Sequence, residues 1–225
     1  MKIYCTRNEL NRAINNVSHS IPTRTPSPIL EGILIETKGD RMYLTATDTN
    51  MTIESNIPVD SEGDVSFVIE EKNFANIVNK LPEEEVLMDY NHEKNQIKIN
   101  SGKSSSTFNC FSADEFPRFN IGEGQKIILS KKDIKNLIRK TSFSASADEL
   151  NGVLTGILIE LGDGNLRMVA VDTFRMAIYN AKVDTDEKLS IVVPAKLLGE
   201  VSKIISDDDN DEQLFMEIVD NKVVM

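Results

Sequence analysis

Along this chain, stretches in which apolar and polar positions alternate give way to stretches in which apolar residues recur every three or four positions, and the same order is met twice. "KIYCT" from Lys2 and "KIILS" from Lys126 read as short strands. A helical stripe follows each: Leu10, Ala13, Ile14 and Val17, then Ile134, Leu137, Ile138 and Thr141, all at i, i+3, i+4, i+7. Thr6 and Ser130 stand where N-caps belong, with Glu9 and Asp133 three residues on, the spacing of a capping box. "ILEGILIET" and "RMYLTATD" are rich in β-branched residues and meet at a Gly-Asp turn, which predicts a hairpin. "MTIESNIPV" and "MAIYNAKV" alternate as half-buried strands do, and "VSFVIE" and "LSIVVP" add one strand each. A second helix presents Phe74, Ile77, Val78 and Leu81, matched by Leu198, Val201, Ser202 and Ile205. "EVLMDYN" and "NQIKINS" close the first set of strands, with "LFMEIV" and "NKVVM" as their counterparts.

The two sets are copies of one domain. Leu30–Thr49 lies over Leu154–Thr173 without a gap, and Leu30, Gly32, Ile33, Leu34, Ile35, Glu36, Ala46, Asp48 and Thr49 are identical to their partners. One register, a displacement of 124 positions, also aligns Thr6–Ser20 with Ser130–Ser144 and Ser66–Leu81 with Ser190–Ile205. Self-similarity of this kind decides architecture. Each copy is two amphipathic helices packed on a mostly antiparallel sheet, an α+β fold. The expected domains are residues 1–122 and 123–225. Copy one continues with "SGKSSSTFNCFSADEFPRFN", whereas the chain stops at Met225 where a last strand of copy two should start. The second domain therefore reads as truncated before that strand.

Composition narrows the class. Hydrophobic residues at 40% and charged ones at 27% are those of a globular protein, and the N-terminus meets charges within a few positions. No apolar run is long enough for a membrane helix, and two cysteines make neither a disulfide framework nor a thiolate metal site. A cytoplasmic location is the default expectation. The net charge of −11 argues against a protein that coats nucleic acid. Its distribution alters that picture. The first helix of copy two carries Lys131, Lys132, Lys135, Arg139 and Lys140 against Asp133 alone, while acids collect at Glu83–Glu85 and at Asp207–Asp209, Asp211 and Glu212. Lys132, Lys135 and Arg139 share the face away from Ile134 and Ile138, suited to a phosphate backbone. An ordinary solvated helix would carry lysines too.

Enzyme motifs are missing. His19 and His92 are isolated, and neither a GxxxxGK[ST] nor a GxGxxG phosphate loop occurs. Asp48 and Asp172 are the acids repeated within a matching motif. With no second acid or histidine at ligand spacing, a turn in which each aspartate bonds its own backbone is favoured over a metal site.

The order of these pieces, "PTRTPSPIL", the hairpin, "TATD", "KNFANIVNKLP", "FSADEFP", then "VLTGILIE", "VAVDTFRMA" and "VVPAKLL", resembles the bacterial replicative sliding clamp, the beta subunit of DNA polymerase III. The resemblance covers the whole chain, as the first domain and most of the second. It implies repeated DNA-clamp domains, three per chain, in head-to-tail dimers that close a ring around duplex DNA, helices lining the hole and sheets outside. It also implies an accessory subunit of a polymerase holoenzyme with no active site, no cofactor and no metal, cytoplasmic and nucleoid-associated during replication. Arg24 is similar to a family residue that touches DNA, and Lys132, Lys135, Arg139 and Lys140 join it by charge and position. A hydrophobic pocket that receives short linear motifs from polymerase, clamp loader and repair proteins corresponds to Leu154, Thr155, Val171, Thr173, Phe174, Arg175 and Met176. Family members usually have His and Leu at the positions of Phe174 and Met176, and often Arg shortly before Leu154, where this chain reads "NGV". These departures bear on the pocket's shape and leave its apolar character. Phe74 and Ile77 match the ring-closing surface, although Phe74 could equally be core.

The reading is thus a processivity factor that tethers a DNA polymerase. The alternative is a free-standing two-domain module that binds peptides without encircling DNA, and a metal-dependent enzyme using Asp48 and Asp172 stands third.

Overall fold

Strand β1 (Lys2–Thr6) turns directly into helix α1 (Arg7–Ser18) because Thr6 caps it. The Thr6 hydroxyl accepts the Glu9 N–H at 3.4 Å and donates to Glu9 Oε2 at 2.8 Å. Helix α1 buries Leu10, Ala13, Ile14 and Val17, the stripe its spacing predicts. The chain then builds β2 (Gly32–Lys38), β3 (Arg41–Thr47), β4 (Thr52–Pro58), β5 (Asp60–Ser61) and β6 (Ser66–Glu70). Helix α2 (Glu71–Asn79) and strands β7 (Glu85–Asn91), β8 (Gln96–Ser101) and β9 (Ser104–Ser112) complete this unit. All pairings in its nine-stranded sheet, ordered β4-β3-β2-β6-β9-β8-β7-β1-β5, are antiparallel. Strand β9 knits the sheet together: its first part pairs with β8, and Cys110, Phe111 and Ser112 pair with Ile69, Val68 and Phe67 of β6.

This computed structural model describes residues 1–118, 124–184, 188–205, 213–219 and 222–225. Two compact units, Met1–Phe119 and Asn120–Met225, divide the chain. The expected boundary between residues 122 and 123, and the acidic run Asp207–Asp209, Asp211 and Glu212, lie outside the described residues.

The second unit repeats the plan. Strand β10 (Gln125–Ser130) leads into α3 (Lys131–Thr141), where the Ser130 hydroxyl accepts the Asp133 N–H at 3.0 Å and donates to Asp133 Oδ2 at 2.7 Å. Helix α3 buries Ile134, Leu137, Ile138 and Thr141. Strands β11 (Gly156–Gly162), β12 (Asn165–Val171), β13 (Met176–Lys182) and β14 (Leu189–Pro194) form a sheet ordered β13-β12-β11-β14. After helix α4 (Ala195–Ile204), β15 (Gln213–Val219) and β16 (Lys222–Val224) join β10 in the order β10-β15-β16. In each unit the first helix lies against the middle hairpin and against the second helix: α1 on β3, β4 and α2, and α3 on β12, β13 and α4.

The hairpin strands start later than their apolar run suggests. Pro28–Glu31 forms a 3-10 turn, closed by Leu30 N–H to Ser27 O at 3.1 Å, because Pro28 suits the first position of a short helix. The strand proper begins at Gly32, and its counterpart at Gly156. The repeated glycine has a steric cause. A β-carbon on Gly32 would collide with Val68 Cγ1, and one on Gly156 with Val192 Cγ1, while Ile69 O and Val193 O would lie at 3.1 and 3.2 Å. Val68 and Val192 are themselves repeat partners, so both copies keep one close approach between neighbouring strands.

Phe74 corrects an expectation. It is fully buried, edge-on to Phe108 at 6.3 Å between ring centroids, and belongs to the core rather than to an exposed ring-closing surface. Ile77 is half-buried against the same core.

The repeated aspartates close turns. Asp48 Oδ1 accepts the N–H groups of Asn50 and Met51 at 2.9 and 2.7 Å, and Asp172 Oδ1 those of Phe174 and Arg175 at 2.8 and 2.9 Å. Each aspartate N–H also reaches the carbonyl three residues on, Met51 or Arg175, at 3.1 Å. Asp172 alone gains a guanidinium: Arg175 Nε donates to its Oδ2 at 3.0 Å. The Phe174 N–H, followed by the N–H and guanidinium of Arg175, holds the Asp172 carboxyl below its ordinary range.

Two outcomes follow from these contacts. Gly156→Ala should cost about 1–3 kcal/mol in urea unfolding, since the branched side chain of Val192 and a backbone carbonyl must give way; an unchanged midpoint would contradict the close approach. Because the folded pKa of Asp172 is depressed, its ionised form stabilises the fold above the unfolded value of about 3.9 and that stabilisation fades as pH falls through the folded value. The stability gap between wild type and Asp172→Asn should therefore narrow between pH 7 and pH 3, measured as urea midpoints.

Candidate functional site

Helix α3 supplies a cationic face. Burial of its apolar stripe leaves Lys132, Arg139 and Lys140 exposed and Lys135 half-buried. Arg139 Nη2 donates to Asn136 Oδ1 at 3.1 Å, so the guanidinium stays on the outer surface of the helix. Lys140 Nζ stands 4.7 Å from the centroid of the Tyr179 ring of β13, a cation–π contact that draws it over the sheet. Arg24 is exposed in the loop between α1 and the Pro28–Glu31 turn. In the first unit, Arg7 is committed to structure, with Nη1 donating to Leu81 O at 2.9 Å and Nη2 3.6 Å from Glu84 Oε2.

The candidate docking residues gather at one end of the β13-β12-β11-β14 sheet. Val171 pairs with Met176 where β12 passes into β13, and β11 begins at that same end, since Leu158 pairs with Val169. The Asp172 turn lies between. It presents Phe174 at 95% exposure and Met176 at 62%, values that mark a lip rather than core. Thr173 and Arg175 are exposed as well, whereas Val171, Leu154 and Thr155 are half-buried. Thr155 Oγ1 donates to Gly152 O at 2.8 Å.

Exposed apolar side chains on neighbouring segments were not anticipated from the sequence, Phe143, Leu150, Val153 and Ile178 among them. Phe143 lies in a 3-10 turn, Ser142–Ser144, packed against β12 and β13, and its ring carries the Arg175 guanidinium carbon at 5.8 Å from the centroid. Leu150 and Val153 belong to the 3-10 segment Glu149–Thr155 beside β11, and Ile178 follows Met176 on the same face of β13. That segment is tied back by Ser146 N–H to Leu154 O at 2.8 Å and Asn151 Nδ2 to Ser146 Oγ at 2.7 Å. Phe143 falls two positions beyond Thr141, off the helical stripe, and that offset was the available signal.

Reactive groups are few. Among the described residues no three His, Cys, Asp or Glu side chains converge as a metal site. Burial pushes the thiols of Cys5 and Cys110 up to about 12, so both stay protonated at neutral pH. Among the described residues, no helix is long and apolar enough to cross a membrane.

Both units have counterparts among known proteins. Residues 1–120 match the model for the N-terminal domain of the DNA polymerase III beta subunit, and residues 128–225 match that for its central domain. The chain is 36% identical to the beta sliding clamp of Halalkalibacterium halodurans over 94% of its own length and 58% of that protein's. It is 34% identical to the Bacillus subtilis beta sliding clamp over all of its length and 61% of the relative's. The crystal structure of the Bacillus subtilis DNA polymerase sliding clamp superposes with a TM-score of 0.95 at 32% identity, covering 99% of this chain and 61% of that one. The chain thus spans about three fifths of the length of these relatives. With both units matched in order, this chain belongs to the DNA polymerase III beta subunit family.

Proposed function

We propose that this chain works in a sliding clamp, a processivity factor that encircles duplex DNA and tethers a DNA polymerase. One observation carries the reading: the two repeated units match the N-terminal and central domains of the family, consecutively and in order. The role is that of an accessory subunit in the cytoplasm, at the nucleoid during replication. Tethering acts through effective concentration: a polymerase held on a ring that cannot leave the duplex rebinds instead of diffusing away.

The charge distribution supports this. A net charge of −11 repels DNA from most of the surface, whereas Lys132, Lys135 and Arg139 on α3, with Arg24, offer phosphate contacts without reading bases. Such contact is weak and indifferent to sequence, as sliding requires. Lys140 contributes less, since its ammonium lies over Tyr179. Ring closure as a homodimer would use the surface around Ile77, with Phe74 supporting it from the core.

The apolar lip supports the second half of the role. Exposed apolar side chains clustered at one sheet end mark interaction surfaces. Phe174, Met176, Val171 and Leu154 with Thr155, Thr173 and Arg175 form a docking place for short apolar motifs of the polymerase, the clamp loader and repair proteins. A handful of such anchors dominates binding energy at interfaces of this kind.

Two measurements test the reading on the protein that carries this chain. Loaded on closed circular DNA, it should persist at salt that strips it from linear duplex, and cutting the circle should release it. Equal release from both forms would favour the free-standing two-domain module. Met176→Ala should weaken a fluorescent clamp-binding peptide about tenfold, as loss of a central apolar contact does, with little change in thermal midpoint. Unchanged affinity would remove Met176 from the docking place.

A further inference from the structure

Between the end of α1 and the Pro28–Glu31 turn the first unit runs through "IPTRTPSP", residues 21–28, a stretch with little backbone freedom. The rings of Pro22, Pro26 and Pro28 fix φ at those positions. Ile21, Thr25 and Ser27 each precede a proline, which confines them to extended backbone. Ser27 shows this directly, with φ −108° and ψ 102°. Within the stretch only Thr23 and Arg24 escape both restrictions, and both are exposed. The ends are anchored as well. The buried Ser20 donates its hydroxyl to Val17 O at 2.8 Å, the Ile21 N–H reaches Ser18 O at 3.2 Å, and Ile21 packs against the core. Beyond Arg24, Thr25 Oγ1 accepts the Ser27 N–H at 3.1 Å. Arg24 thus stands midway along a stiff loop held at both ends.

The second copy shows what the fold itself requires here. At the same displacement of 124 positions, Ser146, Asp148, Leu150 and Gly152 replace Pro22, Arg24, Pro26 and Pro28, so the prolines and the arginine are lost together. That loop is ordered by hydrogen bonds instead. Ser146 N–H reaches Leu154 O at 2.8 Å, Leu150 N–H reaches Asp148 Oδ1 at 3.0 Å, and Asn151 Nδ2 donates to Ser146 Oγ at 2.7 Å. Passing from the first helix to the hairpin therefore needs no proline. The prolines go with the arginine, and what they change is the cost of its contact. A guanidinium on a loose loop gives up backbone freedom when it meets a phosphate, and that loss subtracts from a weak interaction. A loop restricted beforehand has little left to lose.

We propose that Pro22 and Pro26 are positioning residues for Arg24, holding its backbone in place for a phosphate of duplex DNA. The proposal rests on the DNA-contact reading of Arg24 above and adds that the loop is ordered before DNA arrives. The prolines act through the arginine and need not touch DNA.

The test measures binding of the protein that carries this chain to a fluorescein-labelled duplex by anisotropy across a salt series, with thermal midpoints alongside. Arg24→Ala should weaken binding and reduce the slope of log K against log salt by about one, the signature of a lost phosphate contact. Pro22→Ala combined with Pro26→Ala should weaken binding about two- to fivefold, the scale of proline's entropic effect. The slope should stay as in wild type, because the contact is still made. In an Arg24→Ala background the same proline changes should weaken binding no further. Pro26 is exposed, so Pro26→Ala alone, with a smaller step in the same direction, serves if the pair lowers the thermal midpoint. Proline variants that bind as wild type does, or that lose as much affinity without Arg24 as with it, overturn the positioning role. If Arg24→Ala leaves affinity and slope unchanged, the DNA-contact reading of Arg24 falls and the proposal with it.

Discussion

Everything outward-facing on this chain depends on the burial of one helical stripe per unit. Ile134, Leu137, Ile138 and Thr141 are fixed against β12 and β13, and the helix period then leaves Lys132 and Arg139 no choice but solvent. Each buried aliphatic side chain in such a stripe contributes roughly 1.5–3 kcal/mol, whereas the exposed charges opposite contribute almost nothing to folding. The cationic face can thus change with little penalty while the apolar face cannot. The first unit shows that freedom: α1 keeps the same buried stripe, Leu10, Ala13, Ile14 and Val17, but exposes Arg12 and far fewer positive charges. The proposed phosphate contact is in this sense a decoration on a core that both units share.

The same separation holds at the sheet. Gly32 and Gly156 let a valine of the next strand approach closely, and Asp48 and Asp172 turn the chain from one strand to the next. These residues recur because backbone geometry needs them. The side chains that the turns carry outward are under no such constraint, and there the copies part: Thr49, Asn50 and Met51 in one, Thr173, Phe174 and Arg175 in the other. Even the backbone loosens at this point, since Thr49 takes a positive φ of 76° and only the first copy has this feature among the described residues. A β-branched residue there is strained.

Much of this was legible beforehand. Caps, both helical stripes, the hairpins and the aspartate turns each rest on a local rule that one stretch of chain obeys alone, so Thr6 with Glu9 or Asp48 with its own backbone could be read without knowing the rest. Three things could not. Leu30 looks like strand, but Pro28 upstream winds it into a 3-10 turn. Phe74 could be surface or core, and only the position of Phe108 on β9, over thirty residues away, decides that it is core. Phe143 lies outside any period, and its pairing with Arg175 is a contact between segments that no local pattern encodes. Local rules give elements and turns; contacts between distant segments decide which side chains of those elements remain available for binding.

That division explains why the repeat is the best guide to the site. Where two copies of a fold keep a residue, the fold itself is the sufficient reason. Where one copy departs while its backbone bonds stay the same, the fold no longer explains the residue. Arg175 for Met51 is such a departure, made on a turn whose aspartate hydrogen bonds match its counterpart's within a tenth or two of an ångström, and Phe143 for His19 accompanies it from the turn after α3. Arg175 has a return in its contact with Asp172, but exposing Phe174 at 95% and Met176 at 62% forgoes the burial that such side chains otherwise obtain. The second unit accepts that loss where β12 passes into β13, the place that the proposed docking would cover.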